Sequence, residues 1–323
     1  MPNPTPGDVH VDVPLGDISV AYRQKAKYIA DQVFPNVGVA QQSNRYYKYR
    51  KEDWFRTDVQ KRAPGAETVG VGWRIDLDQY FANVWAVHVD IDDQLRANAD
   101  SVFNLNSDAA EMVTNQLMLR RDKEWLAKFF TTGVWDTNVA GVSAAPTTGQ
   151  VRQWDVAGST PIEDIYAAKV NMMEKTGYMP NTLVMGARVW QSLANHASII
   201  ERVKYTQAGF VSEELVARAF GVDRILIAWA TENSANENAT GVYGYMAGKG
   251  ALLCYSAPRP GLQTPSAGYT FSWTGYAGAS AFGSRIKRFR IEERASDRIE
   301  GEMAFDLKVV SSDLGIFYST LVS

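Results

Sequence analysis

The clearest regularity in the chain is an alternation of apolar and polar residues between positions 69 and 77. The apolar members are Val69, Val71, Trp73, Ile75 and Leu77. A period of two is the pattern of a β-strand with one apolar face, so a strand is predicted here. After a break near Asn83 the alternation resumes and continues to Ile91. Residues 43–55 are rich in tyrosine and polar side chains, as an exposed strand is.

Residues 43–91 are therefore predicted to form a long two-stranded β excursion with a polar tip around Lys61 and Pro64. An isolated hairpin of this length is barely stable in water. The excursion requires another surface on which to lie.

Helical patterns follow the excursion. Ser107 is expected to cap a helix that continues to about Thr132, longer than most helices of globular proteins. Thr160 and Pro161 mark the start of another helix, and Gly177 is expected to end it. The stretch beyond Gly177 alternates short apolar strands with helices, which predicts a compact α/β lobe.

The two ends of the chain differ in character. Residues 1–20 contain four prolines and few large apolar side chains, which predicts an extended arm, followed by a short helix from Ala21 to Val33. Residues 231–241 are polar and are predicted to form a surface loop. The C-terminal part returns to strands, since apolar residues alternate with polar ones from Met303 to Val309.

The composition narrows the possible functions. The chain has 323 residues, of which 46% are hydrophobic and 21% charged, and its net charge is −3. This balance argues against sequence-specific DNA binding, which usually needs a strong basic excess. The single cysteine, Cys254, excludes an intrachain disulfide and a CxxC metal motif. No apolar run approaches the length of a membrane span.

The common catalytic signatures do not occur. Gly248-Lys249 resembles the end of a phosphate loop but lacks the required earlier glycine and the following serine or threonine. The histidines, His10, His88 and His196, are far apart in sequence and form no metal-binding spacing. We therefore predict no catalytic residue, no metal site and no cofactor.

Two local clusters have a structural and a functional interpretation. Asp90, Asp92 and Asp93 could hold a divalent cation, but helix capping and solvation after a strand fit their spacing better. Between Arg45 and Arg56, basic residues interleave with tyrosines and a tryptophan, as on a nucleic-acid surface. A solvated strand that contacts a neighbouring subunit is the favoured interpretation of this stretch.

The order of these elements resembles the capsid fold of phage HK97, which tailed-phage major capsid proteins share. Local stretches that support this resemblance are Ala63–Glu67 ahead of the Trp73 strand, Asp92–Asp100 leading into Leu117–Glu124, and Pro180–Gly186 followed by Val189, Trp190 and Leu193. The resemblance covers nearly the whole chain. It rests on pattern and order, not on an active-site signature.

The resemblance implies an α+β fold with four parts. Residues 1–42 would form the N-terminal arm and 43–91 the extended β loop. Residues 92–160, with a long spine helix, and 281–323 would form the peripheral domain, and 161–280 the axial domain. The implied function is that of a shell-building virion protein, assembled in the bacterial cytoplasm into the icosahedral capsid around the double-stranded DNA of a tailed phage.

The resemblance also implies partners. The chain would contact copies of itself in pentamers and hexamers, a portal protein, a decoration protein and, weakly and without sequence preference, the packaged DNA. Some such capsid proteins carry a fused N-terminal scaffolding segment. Because the loop begins near residue 43 here, a separate scaffolding protein is expected. No membrane partner is expected.

Four residues of the loop are candidates for contacts between subunits: Lys61, Arg62, Trp73 and Ile75. In phage HK97 a loop lysine forms an isopeptide bond with an asparagine of a neighbouring subunit. Lys61 lies at the matching position, but residues 284–323 contain no asparagine as acceptor. We therefore expect a shell without covalent cross-links.

Two other functions remain open from sequence. An encapsulin-type nanocompartment shares the fold but encloses cargo enzymes. A cytoplasmic enzyme of unknown type is the other alternative, and a deep polar pocket would favour it.

Overall fold

The computed structural model of the chain describes residues 28–99, 104–203, 211–236, 238–261, 263–275 and 279–323. The expected arm of residues 1–20 and the start of the short helix, residues 21–27, lie outside this part. The described elements form two larger sheets, two small hairpins and a long helix.

The strands are numbered in chain order. They are β1 (Asn36–Val39), β2 (Ser43–Tyr49), β3 (Ile75–Phe81), β4 (Asn83–Asp92), β5 (Thr137–Val142), β6 (Gln150–Arg152), β7 (Thr182–Gly186), β8 (Arg224–Ala228), β9 (Thr231–Asn233), β10 (Tyr243–Tyr245), β11 (Ala251–Cys254), β12 (Gly268–Trp273), β13 (Ser284–Ile291), β14 (Ser296–Val309) and β15 (Gly315–Ser319).

The α-helices are numbered in the same way. They are α1 (Ala30–Val33), α2 (Lys51–Trp54), α3 (Asp93–Asn98), α4 (Leu105–Phe129), α5 (Pro161–Thr176), α6 (Ala187–Ala194), α7 (Ala197–Val203) and α8 (Glu213–Phe220). Two 3₁₀ turns span Glu292–Arg294 and Ser312–Leu314.

A five-stranded sheet supports the long helix. Its order is β1-β12-β14-β13, and β4 pairs antiparallel with the other edge of β14. Helix α4 crosses its face so closely that a Cβ at Gly301 would lie 2.2 Å from Val113. Only glycine permits this approach. Helix α4 is called the spine helix below.

A six-stranded sheet carries the α/β lobe, in the order β6-β5-β15-β11-β7-β8. Helix α5 begins at Pro161 and ends at Gly177, whose φ of +72° suits glycine. Strand β7 is fully buried, as its apolar sequence predicts. These local predictions are confirmed.

The spine helix and the two sheets share one core. Trp125 and Phe129 of the helix belong to the same buried cluster as Leu252 of the lobe sheet and Met303 and Phe305 of the five-stranded sheet. A second cluster fills the space between the lobe sheet and α5 to α8. The shared core fixes the lobe relative to the spine helix.

The predicted strand over residues 69–77 is wrong in its first half. Strand β3 starts only at Ile75, and residues 57–74 form neither helix nor strand. A strand needs a hydrogen-bonded neighbour, and the described residues of this chain supply none beyond the pairing of β2 with β3. The alternation of apolar and polar residues therefore gives this segment an apolar face, but it does not specify a hydrogen-bonded partner strand.

Two smaller predictions also need correction. The long helix begins at Leu105, and its cap is Asn104, which accepts from the backbone N–H of Ser107. The polar segment of residues 231–241 is not a plain loop, because β9 pairs with β10 in a short hairpin. For the helix, asparagine caps as well as serine does, so the sequence alone does not decide between Asn104 and Ser107 as the cap.

Candidate assembly surfaces

The hairpin of β2 and β3 is attached to the body by aromatic packing. Tyr80 stacks on Phe271 of β12 with ring centroids 4.7 Å apart, and Tyr46 lies 5.4 Å from the same ring. The hydroxyl of Tyr46 donates to Asp78 at 2.8 Å, and burial raises the pKa of Tyr46. The root of the hairpin therefore has a defined position on the five-stranded sheet.

Two arginine–aspartate pairs, named the base clamp here, close the loop where it leaves the hairpin. Arg50 donates to both carboxylate oxygens of Asp76 at 2.6 and 2.8 Å. Arg74 donates to Asp53 from its guanidinium at 2.8 and 3.1 Å and from its backbone N–H at 2.8 Å. These hydrogen bonds lower the pKa of both aspartates. Bidentate geometry fixes direction as well as distance.

An ion pair joins the same region to the body. The ammonium of Lys51 contacts the carboxylate of Asp313, which lies in the turn before β15. Phe55 lies against Gly177 at the end of α5. The base of the loop is thus held at three points, while the part beyond it projects.

The four predicted contact residues all lie on this projecting part or at its edge, and all are exposed. Lys61 and Arg62 occupy the tip, where the Arg62 guanidinium donates to the carbonyl of Ala66. Trp73 is 63% exposed and Ile75, the first residue of β3, is 45% exposed. Trp73 and Ile75 are chain neighbours of the base-clamp residues Arg74 and Asp76. Lys61 and Arg62 lie more than ten residues away along the loop.

The loop carries an unusual amount of uncovered apolar surface. The exposed large apolar side chains between residues 47 and 77 are Tyr47, Trp54, Phe55, Val59, Val69, Val71, Trp73, Ile75 and Leu77. An exposed apolar surface that is contiguous marks an interaction site on a soluble protein, and nine exposed apolar side chains within one loop favour such a site. A rigid base and an apolar, unpaired outer part suit docking onto another molecule.

The described part of the arm is fixed by a buried carboxylate that sequence reasoning missed. Asp122 of the spine helix accepts hydrogen bonds from the backbone N–H groups of Ile29 and Ala30 at 3.1 and 2.9 Å. Burial raises the pKa of Asp122 to about 6. Its neighbour Arg121, 1% exposed, pairs with Asp31 at 2.7 Å. The sequence signal for this site is the pair Arg121 and Asp122, two adjacent charged residues on a helix that is otherwise apolar on its buried side, because buried charges need partners.

His196 is a described histidine that has a serine hydroxyl at each of its ring nitrogens. Nε2 of His196 lies 3.0 Å from Oγ of Ser159, and Nδ1 lies 2.7 Å from Oγ of Ser198. Ser159 is buried and its hydroxyl also lies 2.7 Å from the carbonyl of Val156. Burial lowers the pKa of His196. The group positions the start of α7.

The acidic cluster is used structurally. Asp92 caps α3 by accepting from Leu95 N–H at 2.6 Å, and Asp90 and Asp93 pair with Arg298 and Arg290. Among the residues that the structure describes, no group of three or more metal-ligating side chains is found. In the same part of the chain, no helix is long and apolar enough to cross a bilayer.

Cys254 behaves as a small buried hydrophobe. It lies in β11 with no exposed surface, and burial raises the pKa of its thiol to about 12. A thiol with so high a pKa is a poor nucleophile.

Comparison with known proteins gives a consistent result. Residues 143–242 match the family described as phage major capsid protein E. The chain is 25% identical over 320 residues to the major capsid protein of Burkholderia phage BcepMu, covering 96% of both chains. It is 26% identical to the major capsid protein of Pseudomonas phage JBD67, covering 97% of both.

Solved structures show the same fold. A phage-related protein of Bordetella bronchiseptica RB50 matches with a TM-score of 0.68 and 20% identity over 93% of this chain and 94% of that one. The capsid of cyanophage P-SCSP1u matches at 0.64, with 14% identity and coverages of 96% and 93%. The SrpI encapsulin of Synechococcus elongatus PCC 7942 also matches, at 0.56 with 10% identity and 97% of both chains. Fold alone does not separate phage shells from encapsulins, and the two curated sequence relatives are phage capsid proteins. The chain is thus similar over nearly its whole length to phage major capsid proteins, and its fold is the HK97-like capsid fold.

Proposed function

We propose that this chain is the repeating subunit of a tailed-phage capsid and that its clamped, apolar loop lies on a neighbouring subunit. The observation that carries the proposal is the exposed apolar surface between residues 47 and 77. Covering that surface stabilises a complex in proportion to the area removed from water. A monomer has no described surface of its own that covers it.

The contact is heterologous, because the loop of one copy meets a different surface of the next. Heterologous contacts that close by rotation produce rings, and pentamers and hexamers are the rings of an icosahedral shell. In this proposal Trp73 and Ile75 supply apolar contact, while Lys61 and Arg62 supply charged contacts at the tip.

The division into parts follows the resemblance. Residues 1–42 act as the arm, 43–91 as the extended loop, 92–160 and 281–323 as the peripheral domain, and 161–280 as the axial domain. Strand pairs join the ranges of the axial and peripheral domains in both sheets. Strand β11 pairs with β15 in the lobe sheet, and β12 pairs with β14 in the five-stranded sheet.

Further partners belong to the same proposal. A separate scaffolding protein guides assembly, a portal protein occupies one vertex, and a decoration protein binds outside. Contact with packaged DNA is weak and independent of sequence, because residues 21–62 carry ten basic and four acidic residues while the whole chain is slightly acidic. The chain performs no catalysis.

Expression with and without a candidate scaffolding protein from the same phage tests this proposal. Electron microscopy should show shells of uniform diameter with the scaffold, and irregular or few particles without it. Uniform shells from this chain alone would refute the need for a scaffold but not the shell function.

A nanocompartment shell is the second candidate, because an encapsulin shares the fold. The contents of particles purified from the phage or its host separate the two. Double-stranded DNA inside the particles supports the capsid, whereas a single co-purifying enzyme would support the nanocompartment.

A further inference from the structure

Residues 28–34, called the arm anchor here, lie against the spine helix. The apolar side chains from Ile29 to Phe34 are buried in the core cluster that also contains Trp125 and Phe129 of that helix. The only helix in the anchor is the four-residue α1. So short a helix has little stability of its own, and the anchor therefore depends on its contacts with the spine helix.

Polar contacts hold the anchor as well as apolar ones. The carboxylate of Asp122 accepts hydrogen bonds from the backbone N–H groups of Ile29 and Ala30 at 3.1 and 2.9 Å. The hydroxyl of Tyr28 donates to the side-chain carbonyl of Asn115. Asp122 is 1% exposed, so the anchor and the helix together exclude water from this carboxylate.

The same junction contains buried polar atoms that are poorly satisfied. Within the described part of the chain, Nε and Nη2 of Arg121, Oδ1 of Asp31 and Nε1 of Trp125 are buried and have no hydrogen-bond partner. Nη2 of Arg121 lies 2.7 Å from the Asp31 carboxylate, so the two charges attract each other without the geometry of a hydrogen bond. Buried polar groups without partners cost free energy that is recovered when water reaches them. Local opening of the anchor is therefore easier than it would be at an apolar junction.

Two carboxylates share one guanidinium at this junction. Arg121 of the spine helix and Asp31 of the anchor both act on Asp122, and Tyr28 is a further titratable neighbour. When Asp122 is ionised, Asp31, Arg121 and Asp122 together carry one net negative charge in a largely buried place. When Asp122 is protonated, the remaining charges form a neutral pair. A net buried charge is costly, so protonation favours the closed junction.

The pKa of Asp122 agrees with this balance of charges. Burial has the largest effect and raises the pKa of Asp122 to about 6, and Asp31 raises it further while Arg121 and the two N–H groups lower it. Opening the anchor admits water to the carboxylate and removes the effect of burial. The closed junction therefore holds a proton at a pH at which the open junction has released it.

We propose that Asp122 is a proton-controlled latch, which holds the arm anchor on the spine helix when it is protonated and lets the anchor open when it is ionised. Opening frees six more residues, so the arm gains about 20 Å of reach when extended. The inference goes beyond the proposed function, because the latch operates in a chain that has not assembled.

Hydrogen exchange on the unassembled, full-length chain tests the latch. Exchange is measured at pH 5 and pH 7.5, and each rate is divided into the intrinsic rate at the same pH to give a protection factor. The protection factors of the amides of residues 29–33 should be about tenfold lower at pH 7.5, because the closed junction takes up a proton over this interval.

Two variants and one control identify the responsible group. Asp122→Asn retains a hydrogen-bond acceptor but cannot ionise, so it should give the same protection at both pH values. Asp31→Asn leaves Arg121 and Asp122 as a neutral pair and should reduce the difference. Glu124→Gln is the matched control: Glu124 is another carboxylate of the spine helix, it pairs with Arg120, and its loss should leave the tenfold difference intact.

The amides of Trp125 and Phe129 in the same samples report the opening of the helix itself. At pH 7.5 they should remain better protected than the anchor, since the anchor opens locally. Equal protection of anchor and helix at both pH values would overturn the inference. So would a tenfold difference that persists unchanged in Asp122→Asn and in Asp31→Asn.

Discussion

Replacing Trp73 by aspartate separates folding from assembly. The side chain of tryptophan has about 250 Å² of surface, and 63% of that of Trp73 is exposed. If a neighbouring subunit covers the exposed part, about 160 Å² leaves water, which is worth about 4 kcal/mol per contact. The aspartate loses this term and adds the cost of an uncompensated charge at the interface.

The same substitution should hardly change the monomer. Trp73 lies outside the regular elements and outside the buried clusters, and substitutions at such positions change the free energy of unfolding by about 0.5 kcal/mol or less. Trp125→Ala is the control for folding, because Trp125 has no exposed surface and its loss should cost about 3–5 kcal/mol.

Two assays give the answer. Circular dichroism melting should place Trp73→Asp beside the wild type and Trp125→Ala far below it. Light scattering during assembly should show a critical concentration for Trp73→Asp raised by a factor of 100 or more, about 3 kcal/mol. Normal assembly of Trp73→Asp, or a melting curve like that of Trp125→Ala, would refute the reasoning.

Three further outcomes are expected. Because burial raises the pKa of Asp122 to about 6, the folded state holds the proton of this group more tightly than the unfolded chain does. The contribution of Asp122 to the free energy of unfolding should therefore rise by up to about 3 kcal/mol from pH 7 to pH 4, and the difference between wild type and Asp122→Asn in urea titrations should show this slope. Mature particles boiled in denaturant should run as one band near 35.8 kDa, whereas a ladder abolished by Lys61→Ala would show covalent cross-links. Arg74→Ala should leave the melting temperature nearly unchanged but slow assembly several-fold, because it opens the base clamp. Arg56→Ala, which lies outside the clamp, should leave the assembly rate unchanged.

Elements with local signals could be predicted from sequence. Pro161 and Gly177 bound α5 because a proline at the first position and a left-handed glycine after the last act within one turn. The buried strand β7 follows from an apolar run of matching length. These signals depend only on neighbours in the chain.

The base clamp and the buried Asp122 depend on contacts between residues that are far apart in the sequence, so a short stretch of sequence cannot predict them. Arg50 pairs with Asp76, and Arg74 with Asp53, only because β2 and β3 meet in one particular register. The adjacent charges of Arg121 and Asp122 are visible in the sequence, but the backbone N–H groups that Asp122 binds are identified only once the arm lies on the spine helix. The strand predicted over residues 69–77 failed in its first half because an alternating pattern does not specify a hydrogen-bonded neighbour, and β3 pairs with β2 only from Ile75 onward.

Electron microscopy of the assembled chain, coexpressed with a candidate scaffolding protein of the same phage, tests the central claim most directly. The account predicts closed icosahedral shells in which density for residues 57–74 lies on an adjacent subunit, with Trp73 covered. Shells in which this loop contacts only its own subunit, or a protein that stays a monomer under all assembly conditions, would contradict it.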